Sequence, residues 1–230
     1  MVSGEAASSP VIFEPGVGSA YGNGWTRLWK NFLELFLILI ITLVIGMISS
    51  IPQWVASQNP VSGLFTFIIN VLVTGPIGYG VYYVYLRAAR GEKPEIQDMF
   101  AAFGNYWNAV LAGLLVGVIV VIGFVLLIVP GIIFACKLAF TPYLVVDRKM
   151  DVIDAVKESW NMTRGHAGQV FLIGLLAIPI GILGIICFGV GVIIAGMWIT
   201  CAFASLYHAV SLKHGSSVQQ EPLQQGPVSA

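Results

Sequence analysis

The sequence predicts an all-α membrane protein with six transmembrane helices, arranged as three hairpins. Hydrophobic residues make up 57% of the 230 residues and charged residues only 10%, against roughly 25% charged in a typical soluble domain. The apolar residues also come in runs close to the ~20 residues that a helix needs to cross a bilayer. So few charges cannot cover a water-soluble surface, and the lipid bilayer is therefore an expected partner.

The apolar runs divide the chain into a membrane domain and two polar tails. We expect residues 1–19 to be a flexible cytoplasmic tail, residues 20–212 the six-helix domain, and residues 213–230 a disordered cytoplasmic tail rich in Gln, Ser and Pro. The first thirty residues lack the pattern of a cleavable signal, so the first run should remain as an anchor. The expected spans are residues 32–51, 62–85, 107–128, 131–146, 169–186 and 190–212.

Short amphipathic helices are expected at the cytoplasmic membrane surface before the first, third and fifth spans. Tryptophan and phenylalanine on their apolar faces suit the headgroup region. The first of them, in "GWTRLWKNF", could equally be the opening turns of the first membrane helix. The expected faces are Trp25, Leu28, Trp29 and Phe32 in the first, Ile96, Met99, Phe100 and Phe103 in the second, and Val152, Val156 and Trp160 in the third.

Three prolines fall within predicted spans and should bend them. Proline removes a backbone donor and clashes with the preceding turn of a helix. Pro76 predicts a kink in the second span, where glycines flank it, and Pro142 and Pro179 predict bends in the fourth and fifth. The sequence "VPG" at residues 129–131 predicts a tight reversal between the third and fourth spans.

The basic residues fix the expected orientation. Ten of the eleven lie before the first span, in alternate connections or after the sixth span, and the three opposite connections carry none. The positive-inside rule places the basic side in the cytoplasm, together with both termini. The ten residues are Arg27, Lys30, Arg87, Arg90, Lys93, Arg148, Lys149, Lys157, Arg164 and Lys213.

Lys137 is the only basic residue inside a predicted span, and it is a candidate intramembrane polar site. It lies about 9 Å along a helix that begins near Gly131, so its stem could carry the ammonium outward to the headgroups. Alternatively, the charge faces a polar cavity with Asn70, which is expected at a similar depth. An amide does not neutralise a charge, and no carboxylate is expected at that depth, so we favour the outward position.

No catalytic, metal or cofactor site is predicted. Cys136, Cys187 and Cys201 lie in apolar runs without metal-ligand spacing, which is typical of packing residues. His166 and His208 fall at the ends of spans, without a Cys, Asp or His at ligand spacing. The net charge is zero and no large basic cluster occurs, so we expect no nucleic-acid partner.

A longer motif links the fourth span to the following loop. It consists of a Pro-Gly turn, a span with one basic residue, an acidic residue and an Ala-x-x-x-Ser-Trp-x-x-Thr-x-Gly helix. The chain here resembles a group of prokaryotic multi-pass membrane proteins related to the membrane domain fused to some glycerophosphodiester phosphodiesterases. The matching residues after the turn are Lys137, Asp147, Ala155, Ser159, Trp160, Thr163 and Gly165.

The resemblance implies a six-helix module in a prokaryotic cell membrane, with Lys137 as part of the motif. It does not imply phosphodiesterase activity, because the chain has no segment for that catalytic domain. Asp147, Ser159, Trp160, Thr163 and Gly165 form a candidate interfacial motif on the cytoplasmic side.

The sequence favours a non-enzymatic role. A scaffold, assembly or accessory module would act through the cytoplasmic loops, with other membrane proteins or a second copy of the chain as partners. The alternative is a carrier or exporter of a small or lipid-like amphiphile, which would use the proline kinks and the Lys137–Asn70 region.

Overall fold

Every regular element of the described chain is helical, which confirms the all-α class. The computed structural model describes residues 15–55, 63, 68, 70–186 and 190–220. The elements are α1 (Val17–Lys30), α2 (Phe32–Val55), the π-helix Asn70–Thr74, α3 (Gly75–Arg90), the 3₁₀ helix Ile96–Asn105, α4 (Tyr106–Leu126), α5 (Ile128–Leu138), α6 (Thr141–Asp147), α7 (Val152–Met162), α8 (Ala167–Ile186) and α9 (Val190–Gln220).

Five helical segments of the described chain are long and apolar enough to cross a membrane, as expected of a membrane protein. They correspond to the first, third, fourth, fifth and sixth predicted spans. Part of the predicted second span, residues 62–85, lies outside the described residues, and its later part forms the π-helix and α3. The five segments are Phe32–Ser49, Ile96–Leu126, Ile128–Asp147, Ala167–Ile186 and Gly191–Gly215.

The three prolines have different effects on the backbone. Pro76 lies in the first turn of α3, directly after the π-helix, so the helix type changes at this position. Pro142 lies in the first turn of α6, and the fourth span is broken at residues 139–140. Helix α8 continues through Pro179. The first turn of a helix tolerates proline because its amide there has no intrahelical acceptor.

Helix α1 is a separate element and does not continue into the first membrane helix. Asn31 interrupts the helix with φ −119° and ψ 32°. The inner face of α1 packs across α8 and α9: the Tyr21 hydroxyl donates to the Ile173 carbonyl at 2.9 Å, and Gly24 lies against the backbone of Ala202. Leu28 is buried, whereas Trp25 and Trp29 are exposed. These three residues were predicted to share one apolar face, but only Leu28 faces the core.

The predicted face of the second amphipathic helix is divided for a different reason. Residues 96–105 form a 3₁₀ helix, in which residues three apart line up. Met99 and Ala102 are therefore buried, while Phe100 and Phe103 are exposed on another side. The prediction assumed the 3.6-residue period of an α-helix and was wrong on this point.

Glycines bring neighbouring helices together at two turns. A Cβ at Gly123 would lie 2.9 Å from the Gly131 Cα, so α4 and α5 pack closely on either side of Leu127. A Cβ at Gly184 would lie equally close to the backbone of Gly191, which joins α8 and α9 in the same way. A tight reversal is thus present, but it lies at Leu127 and not at "VPG", because helix α5 already begins at Ile128.

The predicted boundaries of the two tails differ from the helices observed. Helix α1 begins at Val17, inside the predicted tail of residues 1–19, and α9 continues to Gln220, beyond residue 212. A contact supports this extension of α9: His214 Nε2 lies 3.5 Å from Glu158 Oε1. Residues 1–14 and 221–230 lie outside the described residues.

The core and the charged residues occupy the same end of the bundle. Leu86, Tyr143 and Tyr207 are fully or almost fully buried there. At the opposite end, Val125 and Leu127 are 81% and 70% exposed. Apolar side chains this exposed are stable in lipid, where burial against protein is not needed.

Candidate functional site

The Lys137 side chain lies against α7. Lys137 is in the last turn of α5 and is half-buried. Its ammonium lies over the Trp160 ring, 5.3 Å from the ring centroid, which is a cation–π contact. This contact places the ammonium beside α7. Because the stem is long and flexible, the neighbouring aromatic ring determines its direction.

Two hydroxyl groups of α7 bind the end of α5. Ser159 Oγ donates to the Lys137 carbonyl at 2.8 Å and Thr163 Oγ1 does so at 3.3 Å. Because α5 ends at Leu138, its last carbonyls lack intrahelical donors, and these hydroxyls satisfy one of them. A lysine also suits the negative end of a helix dipole. We call Lys137, Ser159, Trp160 and Thr163 the Lys137 site; the sequence had assigned them to two separate sites.

The buried face of α7 differs from the predicted one. Ala155, Ser159 and Met162 are buried, while Val156 and Trp160 are only partly buried. The side chains facing inward are mostly small, so α7 approaches α5 and α6 closely. Apolar periodicity alone favoured the larger residues, and this part of the prediction was wrong.

Gly165 has a backbone role at the Lys137 site. Its φ is +82°, a region that side-chain-bearing residues rarely adopt. Glycine therefore lets the chain leave α7 after Thr163 and begin α8 at Ala167.

Asp147 belongs to a second group of residues, which we call the Asp147 network. Both of its carboxylate oxygens accept from Arg90, through Nη1 and Nη2, at 2.6 Å each. The Tyr207 hydroxyl also donates to Asp147 Oδ2, at 3.3 Å. The side chains of Arg90 and Asp147 are 25% and 11% exposed, so water screens the pair only weakly. The network joins α3, α6 and α9.

Other ion pairs at this end of the bundle join the loop after α3 and the 3₁₀ helix to neighbouring helices. Arg87 donates to Asp98 at 2.6 Å and to Glu92 at 2.9 Å. The hydrogen bond to Asp98, followed by that to Glu92, raises the pKa of Arg87. Lys93 Nζ lies 3.8 Å from Glu34 Oε1, which connects the loop to α2.

Asn70 does not join the Lys137 site. It begins the π-helix, and its side-chain oxygen accepts a long hydrogen bond of 3.5 Å from Thr74. The contacts of Lys137 are instead to α7.

The Lys137 site connects helices and presents a positive charge within a membrane-length segment. Its two hydroxyl groups bond to backbone carbonyls: besides the Lys137 carbonyl, Thr163 reaches the carbonyl of Ser159 at 2.7 Å. Within the described ranges, no group of three His, Cys, Asp or Glu side chains could hold a metal ion. Cys136 and Cys201 are free thiols.

Removing the Ser159 hydroxyl should weaken the contact between α5 and α7. We expect Ser159→Ala to lower the free energy of unfolding by about 0.5–1.5 kcal/mol, the net value of one hydrogen bond. Ser159→Leu should cost more, because the position is fully buried and overpacking typically costs about 1–3 kcal/mol. Thermal unfolding in detergent measures both, with exposed Asn161→Ala on the same helix as the control. Equal stability of the two Ser159 variants would contradict close packing at this position.

No pattern in the sequence indicates Arg90 and Tyr207 as partners of Asp147, since they are 57 and 60 residues away from it. It did single out Lys137 and the α7 motif, but not their contact.

Comparison with known families gives one match. The family described as a domain of unknown function, DUF7847, matches residues 96–220, slightly more than half of the 230 residues. The match includes every residue of the Lys137 site, together with Asp147 and Tyr207. No curated protein and no solved structure matches the chain. The chain belongs to the DUF7847 family.

Proposed function

We propose that the protein is a non-enzymatic membrane module that acts as a scaffold or accessory partner through the charged end of the bundle. It would cross a prokaryotic cell membrane six times, as three hairpins, with both termini and this end in the cytoplasm. We also propose that it is related to the membrane domain fused to some glycerophosphodiester phosphodiesterases, on the basis of the motif from residue 129 to residue 165.

The observation that carries this proposal is the set of ion pairs at the charged end. They connect α2, α3, α6, α7, the 3₁₀ helix and the loops, so that the polar side chains hold fixed positions. A surface ordered in advance loses less conformational entropy on binding a partner, and its charges favour complementary surfaces. The pairs are Arg87–Glu92, Arg87–Asp98, Arg90–Asp147, Lys93–Glu34 and Arg148–Glu158.

Two rows of aromatic rings at the same end would hold the module at the lipid headgroups. Aromatic side chains favour this region because they are apolar with a polar edge. In α1 and α2 the rings of Trp29 and Phe32 stack at 5.3 Å. In the other row, Phe103 and Tyr106 stack at 5.8 Å, and Phe103 is 46% exposed.

The proposed topology can be tested with reporters of cell compartment. Alkaline phosphatase fused at residue 129, or at residue 188, should be active, because the enzyme folds only outside the cytoplasm. A fusion after Gln220 should be inactive, while green fluorescent protein fused there should fluoresce. An inactive phosphatase at either turn would contradict the six-span count or its orientation.

Site-specific photo-crosslinking tests the proposed role. Ile153 lies on the charged end and is 55% exposed, while Val129 at the opposite end is 65% exposed. A photoreactive phenylalanine at position 153 should give a crosslinked product of defined mass in cells, whether with another membrane protein or a second copy. The same residue at position 129 is the control and should react with lipid. A product at position 129 alone would contradict a role of the charged end.

A carrier of a lipid-like amphiphile is the second candidate. It is favoured by an apolar groove of about 480 Å³ between the π-helix region and α4, lined in part by Val71, Gly75, Gly113 and Gly117. π-Helical turns are frequent at functional sites. In proteoliposomes, a carrier would transfer a fluorescent phospholipid between leaflets. Gly117→Leu should block that transfer, since an added Cβ there meets no atom within 4 Å and the side chain would fill the groove.

A further inference from the structure

We propose that the Lys137 site and the apolar groove beside it bind one anionic phospholipid. This inference is independent of the proposed scaffold role. It identifies an anionic phospholipid as the ligand of the half-buried Lys137 ammonium and of the adjoining apolar groove.

Among the residues that the structure describes, the charge of Lys137 has no counter-ion. Lys137 lies in the membrane-length segment Ile128–Asp147, and it is part of none of the ion pairs found in the described ranges. An uncompensated charge in the membrane is costly, and the contact with Trp160 offsets only part of that cost. An anion is therefore expected at the ammonium, and the surrounding lipid can supply it as a phosphate group.

An apolar groove runs along the same helix as Lys137. Two adjoining cavities of about 380 and 430 Å³ lie between α5 and α8. Both are lined by Ile132, Cys136 and Phe171, and Cys136 directly precedes Lys137. The linings contain only apolar and glycine residues, which suits an acyl chain and gives a water-soluble ligand no polar contact.

The first turn of α8 forms one wall of the groove. Ala167, the first residue of α8, lines the same cavity as Cys136. The apolar surface of α8 thus begins beside α5. The exposed Arg164 lies three residues before Ala167 and directly follows Thr163, whose hydroxyl donates to the Lys137 carbonyl. A phosphate at Lys137 would then be close to a second basic residue, with an acyl chain extending along Ile132 and Phe171. A neutral lipid would fit the groove but would leave the charge uncompensated.

The test compares two lipids with the same acyl chains. The full-length protein, purified in detergent, is melted with dioleoylphosphatidylglycerol or dioleoylphosphatidylcholine. We expect phosphatidylglycerol to raise the melting temperature by several degrees more than phosphatidylcholine does, because a ligand that binds the native state stabilises it. Lys137→Gln should abolish the difference. Lys157→Gln, which removes an exposed charge from α7, should retain it.

A second variant tests the groove without changing Lys137. An added Cβ at Gly168 meets no atom within 4 Å, so Gly168→Leu fills the groove without overlapping the backbone. We expect this variant to need at least tenfold more phosphatidylglycerol for the same temperature shift. Native mass spectrometry should likewise show one bound phosphatidylglycerol in the wild type and a clear loss in the variant, a readout that does not depend on unfolding.

Four results would overturn the proposal. The first two are equal shifts of the melting temperature with the two lipids, and a preference for phosphatidylglycerol that remains in Lys137→Gln. The other two are a loss of that preference in Lys157→Gln as large as in Lys137→Gln, and unchanged phosphatidylglycerol binding by Gly168→Leu. Glycerol phosphate without acyl chains should produce no shift. If it stabilised the protein as strongly as phosphatidylglycerol, the ligand would be a free phosphate compound and the lipid assignment would be wrong.

Discussion

Asp147→Ala should destabilise the protein more than any other single charge removal at this end of the bundle. The substitution leaves the Arg90 guanidinium, which is only 25% exposed, without its two hydrogen bonds of 2.6 Å. Breaking a buried ion pair from one side typically costs about 3–5 kcal/mol, because the remaining charge is uncompensated. Membrane accumulation in cells and thermal unfolding in detergent should both fall sharply.

Two further variants separate this effect from a general loss of charge. Glu92→Ala removes a carboxylate that is 48% exposed and should cost only about 0–1 kcal/mol, as exposed pairs do. Replacing both partners, with Arg90→Met and Asp147→Leu together, removes the unpaired charge and should recover most of the stability. If the double variant were as unstable as Asp147→Ala, the uncompensated charge would not be the cause.

Gly80→Ala is expected to have the second largest effect. Gly80 is buried where α3 crosses the 3₁₀ helix. A Cβ at this position would overlap the Met99 carbonyl oxygen and lie 2.6 Å from its carbonyl carbon. The obstacle is backbone, so no side-chain rotation can relieve it, and the cost should reach or exceed the about 1–3 kcal/mol typical of overpacking. Thermal unfolding measures the change.

Gly78→Ala provides a matched control two residues away on the same helix. An added Cβ there meets no atom within 4 Å, and alanine favours a helix over glycine by about 0.5–1 kcal/mol. The control should therefore be neutral or slightly stabilising. A comparable loss of stability in both variants would show that α3, and not its contact with Met99, is sensitive to substitution.

The sequence by itself determined the helical membrane class and most of the element positions. Long apolar runs can be stable only as helices in lipid, because every backbone polar group must be bonded within the segment. The breaks at Pro76 and Pro142 were also predictable, since proline acts on its own backbone. The faces of the short helices were less predictable. Because residues 96–105 form a 3₁₀ helix, Met99 is buried while Phe100 is exposed.

Only the tertiary structure decided how the polar residues pair. The sequence identified Lys137, Asp147 and the α7 motif as unusual. It offered Asn70 only as an alternative neighbour of Lys137, and it identified neither Trp160 as the contact of Lys137 nor Arg90 as the partner of Asp147. Pairing depends on how α7 and α3 pack against the fourth span, and no local pattern encodes contacts between residues 23 or 57 positions apart. Local periodicity records which face of a helix is apolar, whereas the direction of a long charged side chain follows from whichever neighbour the fold brings within reach.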